Sequence, residues 1–217
     1  MIIWDWNGTL LNDVDICLDC INHLLESRNH PKLIIEKYKQ IFTFPVQDYY
    51  VKAGFDFSRE PFDIIAMEFI DLYRQKLPLA KIFPETTEVL NVFKRNHYRQ
   101  VMISAMEHNS LINSVKEKGL ENYFDIISGI GDHFAVSKLE NARNIIAQLG
   151  SEHNNTWMIG DTCHDFEVAN DLGLNCLLVA NGHQAYDRIK NSDCQVVEDL
   201  RETIRFFKLN HLEIKKY

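Results

Sequence analysis

The hydrophobic and polar positions divide the chain into two regions of different pattern. The opening residues, MIIWDW, form a short, mostly apolar run that is followed by Asn7 and Gly8. This is the pattern of a buried parallel strand that ends in a loop. Apolar positions at helical spacing fill the next region, with breaks at Pro31 and Pro45. We predict four helical stretches there, at residues 13–29, 33–41, 46–53 and 61–77.

After Pro78 the pattern changes, because short apolar runs alternate with amphipathic stretches. Strands are predicted at 100–104, 124–128, 156–160, 175–179 and 194–197, and helices at 86–96, 108–118, 138–149, 164–172, 183–190 and from 199 onward. Such alternation indicates an α/β fold with a doubly wound parallel sheet. We therefore expect a core made of residues 1–12 and 80–217, interrupted by an all-α insertion at 13–79 above the carboxyl ends of the strands.

Composition and charge narrow the possible functions. The 217 residues carry a net charge of −8, which argues against non-specific nucleic-acid binding. No run approaches the roughly 18 to 20 apolar residues that a membrane helix needs, and the opening residues do not resemble a signal peptide. The five cysteines are scattered, which is typical of reduced thiols in a cytoplasmic protein. The pair Cys17 and Cys20 lies on a predicted helix face and lacks a second pair that would complete a zinc site.

Polar residues stand where the predicted strands end or where the next helix begins. Asp5 ends the first strand, Ser104 ends the second, and Asp161 follows the strand at 156–160. Lys138 and Asp165 open helices. Because right-handed crossovers bring these strand ends to one edge, the fold itself should gather the five side chains at one site.

The chemistry of these residues is mutually consistent. A carboxylate at Asp5 can attack phosphorus and form an acyl-phosphate that water later cleaves. Because two anions repel, the attack needs cations, and carboxylates are the ligands that Mg²⁺ prefers. Lys138 supplies a further positive charge. Ser104 and the backbone N–H of Ala105 can bind phosphate oxygens, and Gly8 permits close approach of the backbone.

The motifs DWNGTL, VMISA, a lone lysine before a helix, and GDTCHDFEVA resemble the haloacid dehalogenase-like hydrolase superfamily over the whole chain. The insertion looks like the class I cap of that family, and FTFPVQDYY is similar to phosphoglycolate phosphatase-like members. The resemblance implies a Rossmann-like core and a small phosphorylated substrate, with Asp5 as nucleophile. It gives phosphoryl binding to Ser104 and Lys138. It also implies a Mg²⁺ site formed by Asp5, Asp161, Asp165 and the backbone carbonyl of Asn7.

Asn7 departs from the family pattern, in which this position is an aspartate that acts as general acid and base. An amide cannot transfer that proton, and general acid–base catalysis is typically worth about 10²–10⁴-fold. Another group can do the proton work, the substrate can have a good leaving group, or the protein has lost turnover and kept binding. His108, His133 and His164 lie near predicted strand-end loops and are candidates for the missing group, although each also fits a solvated loop.

The leading hypothesis is a Mg²⁺-dependent phosphatase that acts on a small metabolite such as phosphoglycolate. The alternatives are a catalytically weak phosphate-binding or regulatory protein, or a phosphotransferase. Polar residues of the insertion are candidates for substrate contact, namely Tyr49, Tyr50, Lys52 and Arg59. The sequence leaves the pathway and the oligomeric state open.

Overall fold

The computed structural model describes residues 1–131, 138–149 and 155–209. The strands are β1 (Ile2–Trp4), β2 (Leu11–Asn12), β3 (Lys81–Ile82), β4 (Gln100–Glu107), β5 (Ile126–Ile130), β6 (Trp157–Gly160), β7 (Asn175–Val179) and β8 (Gln195–Val197). The α-helices are α1 (Val14–Ser27), α2 (Ile35–Ile41), α3 (Val46–Ala53), α4 (Phe62–Lys76), α5 (Thr86–Arg95), α6 (His108–Glu117), α7 (Lys138–Leu149), α8 (Cys163–Asp171), α9 (Tyr186–Lys190) and α10 (Glu202–Phe206).

Six strands form a parallel sheet in the order β5-β4-β1-β6-β7-β8. The strand β1 is central, and Ile3 pairs with Val101 of β4 on one side and Met158 of β6 on the other. The order reverses direction at β1, so the carboxyl end of β1 is the place where doubly wound sheets bind ligands. The predicted α/β fold is confirmed.

Helices cover both faces of the sheet, which explains why its strands are mostly apolar. Ile2 and Trp4 belong to a hydrophobic cluster that includes residues of α5, α6 and α10, whereas Ile3 belongs to a cluster that includes residues of α7, α8 and α9. The alternation follows from the two-residue period of a strand. All three side chains are fully buried, so β1 is held rigidly and the residue that follows it has a fixed position.

The helices α1 to α4, which we call the helical insertion, pack around a third hydrophobic cluster. One face of α1 supplies Val14, Cys17 and Ile21 to this cluster, and Tyr38 of α2 and Tyr49 of α3 pack against them. Cys17 and Cys20 are buried free thiols on α1, as the helical pattern predicts.

Three details differ from the sequence prediction. The insertion is joined to the sheet by a two-stranded antiparallel ribbon of β2 and β3, in which Leu11 pairs with Ile82. Two-residue strands leave no periodic pattern, so the sequence did not show them. The strand β4 continues to Glu107 with a register shift after Ile103, so the expectation that Ser104 ends its strand is wrong. The helix predicted at 183–190 begins only at Tyr186, which leaves residues 181–185 as a loop after β7.

In the described part of the chain, no helix combines the length and the apolar character that crossing a membrane would require.

Candidate active site

The structure brings Asp5, Lys138 and Asp165 into direct contact. Asp5 follows β1 directly, Lys138 is the first residue of α7, and Asp165 lies in the first turn of α8. The Lys138 ammonium donates to Asp5 Oδ1 at 2.5 Å and to Asp165 Oδ1 at 2.5 Å. All three side chains are at most 9% exposed, so this ion triad lies out of water.

Asp161 lies beside the triad, and its carboxylate is fixed from two directions. Thr9 Oγ1 donates to its Oδ1 at 3.0 Å, and the backbone N–H of His183 donates to its Oδ2 at 2.6 Å. Carboxylate oxygens of Asp5, Asp161 and Asp165 all lie within 4.8 Å of one another.

Two glycines permit this close approach. A Cβ atom on Gly8, whose φ is +71°, would lie 2.4 Å from Asp161 Oδ2, and one on Gly182 would lie 2.1 Å from the same atom. Any side chain at either position would displace the carboxylate, so the backbone encloses Asp161 closely.

Asp165 has two structural tasks at once. Its Oδ2 accepts from the backbone N–H of Thr162 at 3.0 Å and from Thr162 Oγ1 at 2.7 Å, which completes a capping box at the start of α8. Its Oδ1 is thereby turned towards Lys138. The helix N-cap and the ion contact are therefore two roles of one side chain.

Burial and mutual repulsion set the ionisation of this cluster. The pKa of Asp5 is raised to about 7, chiefly by burial; the Lys138 charge opposes this rise, and the Asp165 and Asp161 charges contribute to it. Burial likewise raises the pKa of Asp161 to about 6, and the Asp165 charge adds to the effect. Burial also acts on Asp165, but the Lys138 ammonium and the Thr162 donors prevail and lower its pKa. The pKa of Lys138 is raised by its two carboxylate neighbours, although burial opposes them.

The donor set fits a hard divalent cation. Three ionised carboxylates and one ammonium leave two uncompensated negative charges in a buried place, which is unfavourable unless a cation joins them. Carboxylate oxygens are the ligands that Mg²⁺ prefers, and three buried carboxylates supply them here.

The Asn7 side chain is held by hydrogen bonds to Asp13 and to Tyr73 of the helical insertion. Its Nδ2 donates to Asp13 Oδ2 at 2.8 Å and to the hydroxyl oxygen of Tyr73 at 2.8 Å. Its Oδ1 accepts from Ser104 Oγ at 3.4 Å. Ser104 also accepts from the backbone N–H of Met106 at 3.1 Å, and Ala105 next to it is half-buried.

Two buried residues of this region, Asp13 and His183, were missed by the sequence prediction. His183 Nε2 lies 3.2 Å from Asp13 Oδ1, and Tyr38 OH lies 2.8 Å from His183 Nδ1. Burial opposes ionisation of Asp13, but the His183 charge and the donors around it lower its pKa. From the sequence, Asp13 is predicted only as the first residue of a helix. His183 lies within the helix predicted at 183–190, whereas the structure places it in the loop between β7 and α9.

Two of the three histidines proposed from the sequence as replacements at position 7 make contacts elsewhere. His108 Nδ1 accepts from the backbone N–H of Gly129 at 3.3 Å. His164 stacks on Phe44 with 4.6 Å between ring centroids and pairs with Glu167. His133 lies outside the described residues.

The four polar candidates of the insertion divide into two kinds. Tyr49 and Tyr50 are buried inside the aromatic cluster of the insertion, where their rings pack edge to face. Lys52 and Arg59 are exposed.

The sequence match decides the family. Residues 2–179 match the family model described as haloacid dehalogenase-like hydrolase. The chain belongs to this family. A similar protein is the probable phosphatase IndB of Dickeya dadantii, 26% identical over 92% of this chain and 89% of that protein. Another is phosphoglycolate phosphatase 1 of Pseudomonas aeruginosa, 22% identical over 94% of this chain and 78% of that protein.

The fold of the haloacid dehalogenase-like hydrolases is also found by structural comparison. A family protein of Streptococcus pneumoniae, SP0104, superposes with a TM-score of 0.82 over 95% of this chain and 97% of its own, at 17% identity. The predicted resemblance to this superfamily and to its phosphoglycolate phosphatase-like members is confirmed, as is the prediction of an enzyme of the haloacid dehalogenase type.

Proposed function

We propose that this hydrolase is a Mg²⁺-dependent phosphatase of small phosphorylated metabolites, working through an aspartyl-phosphate on Asp5. The observation that carries the proposal is the position of Asp5. Its buried carboxylate lies at the end of the central strand, touches Lys138, and shares a 4.8 Å cluster with Asp161 and Asp165. A nucleophile, a fixed positive charge and a cation-binding set thus meet at one point.

The chemistry divides into two steps. A carboxylate oxygen of Asp5 attacks phosphorus while the bond from phosphorus to the leaving oxygen breaks, which leaves the phosphoryl group on Asp5. Water then attacks phosphorus, releases inorganic phosphate and frees the carboxylate. Lys138 and the Ser104 hydroxyl are the groups that would bind the phosphoryl oxygens and their developing charge.

The residues that would hold Mg²⁺ are Asp5, Asp161, Asp165 and the backbone carbonyl of Asn7. When bound, the cation supplies charge neutralisation between the Asp5 carboxylate and the phosphate and orients the phosphate oxygens.

In this proposal the chain divides into a catalytic core of residues 1–12 and 80–217 and a cap of residues 13–79. The ribbon of β2 and β3 supports the division, because it lies where the insertion leaves and rejoins the sheet. The cap would exclude water from the site and select the substrate. The near-complete burial of Asp5 and Lys138 supports this closure role.

Position 7 bears on the choice of substrate. The Asn7 amide cannot protonate a departing alkoxide, so substrates whose leaving group needs no proton, such as acyl and aryl phosphates, are favoured over alkyl esters. Phosphoglycolate is the first alkyl ester to test, because one relative is named for that substrate.

The test is turnover of a panel of alkyl, aryl and acyl phosphates with and without Mg²⁺. We expect Asp5→Asn to lower kcat at least a thousandfold, because the nucleophile is removed. Asp15→Asn is the matched control, since Asp15 is exposed on α1 and the same charge is lost there. Turnover that survives in Asp5→Asn would remove the proposal.

A second candidate is a phosphate-binding protein with weak turnover, and the Asn7 amide is the observation that favours it. In that case the protein binds Mg²⁺ with beryllium fluoride or vanadate as tightly as an active phosphatase, yet turns over no phosphate on the panel. Transfer to an acceptor other than water is tested in the same assay, by looking for phosphorylated products when alcohols or sugars are added.

A further inference from the structure

The residue that anchors Asn7 is Asp13, which lies between β2 and α1, where the insertion begins. The carboxylate of Asp13 is 1% exposed and faces a dense set of donors. Its Oδ2 accepts from Asn7 Nδ2 at 2.8 Å and from Tyr73 OH at 2.7 Å, and its Oδ1 accepts from the backbone N–H of Gly8 at 3.0 Å. His183 Nε2 lies 3.2 Å from the same Oδ1.

We propose that Asp13 is a positioning residue for the active site. Positions 7 and 13 form a matched pair, in which one side chain is a carboxylate and the other is an amide. The pair rests on the proposed function of the site around Asp5, since it acts through Asn7. It explains the unexpected Asn7 as one half of an arrangement whose negative charge stands at residue 13.

The Asp13 carboxylate fixes the orientation of the Asn7 amide. A carboxylate accepts hydrogen bonds and donates none, so the Asn7 atom that faces Asp13 has to be Nδ2. The second hydrogen of Nδ2 is directed to the Tyr73 hydroxyl, which in turn donates to Asp13. Oδ1 is therefore left to face Ser104, at 3.4 Å, on the side of the proposed phosphoryl site. Without Asp13 nothing in this triangle fixes which end of the amide faces Ser104.

The charge of Asp13 also limits which side chain position 7 can carry. A carboxylate placed at position 7 by Asn7→Asp would be partly buried and would face the almost fully buried Asp13 carboxylate across a contact of 2.8 Å. Two like charges at that distance and depth repel strongly. The single change to the usual aspartate of the family is therefore expected to damage the protein.

Exchange of the two side chains avoids the conflict. With Asn7→Asp and Asp13→Asn together, the amide at 13 donates to the carboxylate at 7, and its oxygen still accepts from the backbone N–H of Gly8. The Tyr73 hydroxyl can turn its proton to the new carboxylate. The two positions together still carry one negative charge. Most of their hydrogen bonds are therefore retained, with the donor and the acceptor of the pair exchanged.

The experiment is a double-mutant cycle in melting temperature, measured without substrate on the full chain as N7D, D13N and N7D/D13N. We expect each single change to lower Tm by on the order of 5–15 °C, the range for an uncompensated buried charge or donor set in a chain of this size. The double variant should recover at least half of the summed loss. The matched controls are N12D and D15N, which make the same changes at exposed neighbours and should leave Tm within about 2 °C.

The cycle has clear outcomes. Recovery in the double variant supports the pair, and so does an N7D that fails to fold beside an N7D/D13N that folds. Additive losses, or a double variant that does not fold, overturn it. Because no substrate is used, failure of the phosphatase proposal would leave this result unaffected.

Kinetics test the positioning role separately. For D13N, a structural role alone would lower the amount of active protein, whereas loss of amide orientation should lower kcat per folded molecule at least tenfold with little change in KM. In N7D/D13N the carboxylate stands where a general acid acts, so the ratio of alkyl to aryl phosphate turnover should rise at least tenfold over wild type. An unchanged kcat in D13N, or an unchanged ratio in the double variant, contradicts the proposal.

Discussion

At the scale of single residues, the site contains more buried carboxylates than the single ammonium of Lys138 can neutralise. Lys138 contacts two carboxylates, and Asp161 is left to backbone and hydroxyl donors. Burial dominates this balance, and it raises the pKa of Asp5 to about 7 and that of Asp161 to about 6. A nucleophilic carboxylate that resists ionisation needs a cation to hold it in the ionised form.

This balance predicts a pH-dependent effect of Mg²⁺ on stability. Because the pKa of Asp5 is raised from 3.8 to about 7, its contribution to the stability of the metal-free protein is complete below pH 4 and is lost as pH rises through 7. Mg²⁺ binds the ionised form, so it should raise Tm little at pH 5. At pH 8, with Mg²⁺ at a hundred times its Kd, the expected rise is roughly 5–10 °C. Calorimetry at both pH values checks this.

The control for the Mg²⁺ effect is Asp161→Asn, which removes one proposed ligand and should reduce the shift at pH 8 by more than half. Equal Tm shifts in wild type at pH 5 and pH 8 would show that the buried carboxylates are not the binding groups.

At the scale of elements, the loop after β7 matters as much as the strand ends that the motifs mark. Residues of this loop support Asp161 through the His183 N–H and approach it closely at Gly182. The same loop contacts the insertion, since Gln184 Nε2 donates to the Phe42 carbonyl at 3.0 Å and His183 stacks on the Phe42 ring. One short loop thus connects the proposed metal ligands to the proposed cap.

The loop geometry predicts a specific steric effect. Gly182→Ala places a Cβ atom 2.1 Å from Asp161 Oδ2, so the carboxylate has to move. We expect the Kd for Mg²⁺ to rise at least tenfold, as is typical when groups that orient metal ligands are disturbed. Titration calorimetry with Mg²⁺ measures it. Gly131→Ala is the matched control, because among the described residues a Cβ atom there meets nothing within 4 Å. Equal affinity in both variants would contradict the account.

Arg188 of α9 connects the core to α2 of the insertion, so its removal should loosen the contact between them. Arg188 Nη1 donates to the Phe42 carbonyl at 2.5 Å and to the Lys39 carbonyl at 3.2 Å. Arg188→Ala should loosen α2 from the core and lower Tm by roughly 3–8 °C. Backbone hydrogen exchange in α2 should accelerate at least threefold while exchange in β1 stays unchanged. The control is Arg201→Ala. Arg201 is an exposed arginine whose ion-pair partner, Glu88, belongs to α5 and not to the insertion. Equal acceleration in both variants would show that Arg188 does not hold the insertion.

At the scale of the whole molecule, the sequence predicted what periodicity and topology determine. The parallel sheet, the four-helix insertion and the meeting of Asp5, Lys138, Asp161 and Asp165 follow from alternating strands and helices, since strand ends of such a sheet share one edge. These are consequences of the fold as a whole, so local errors in element boundaries did not affect them.

The sequence did not reveal contacts between separate elements. Asp13 is six residues from Asn7, but its partners Tyr73 and His183 come from distant parts of the chain, and no spacing rule joins them. His183 could have been found by the rule that selected Asp161, had the loop after β7 been recognised. The ribbon of β2 and β3 forms only because the chain leaves and rejoins the sheet at the same place.

The measurement that tests the account most directly is a crystal structure of the full chain with Mg²⁺ and beryllium fluoride, which mimics a phosphoryl group. We predict beryllium bonded to a carboxylate oxygen of Asp5, with one Mg²⁺ shared by the carboxylates of Asp5 and Asp161 and with Lys138 against the fluorides. Beryllium fluoride bound away from Asp5, or Asp5 and Asp161 on separate ions, would contradict the account.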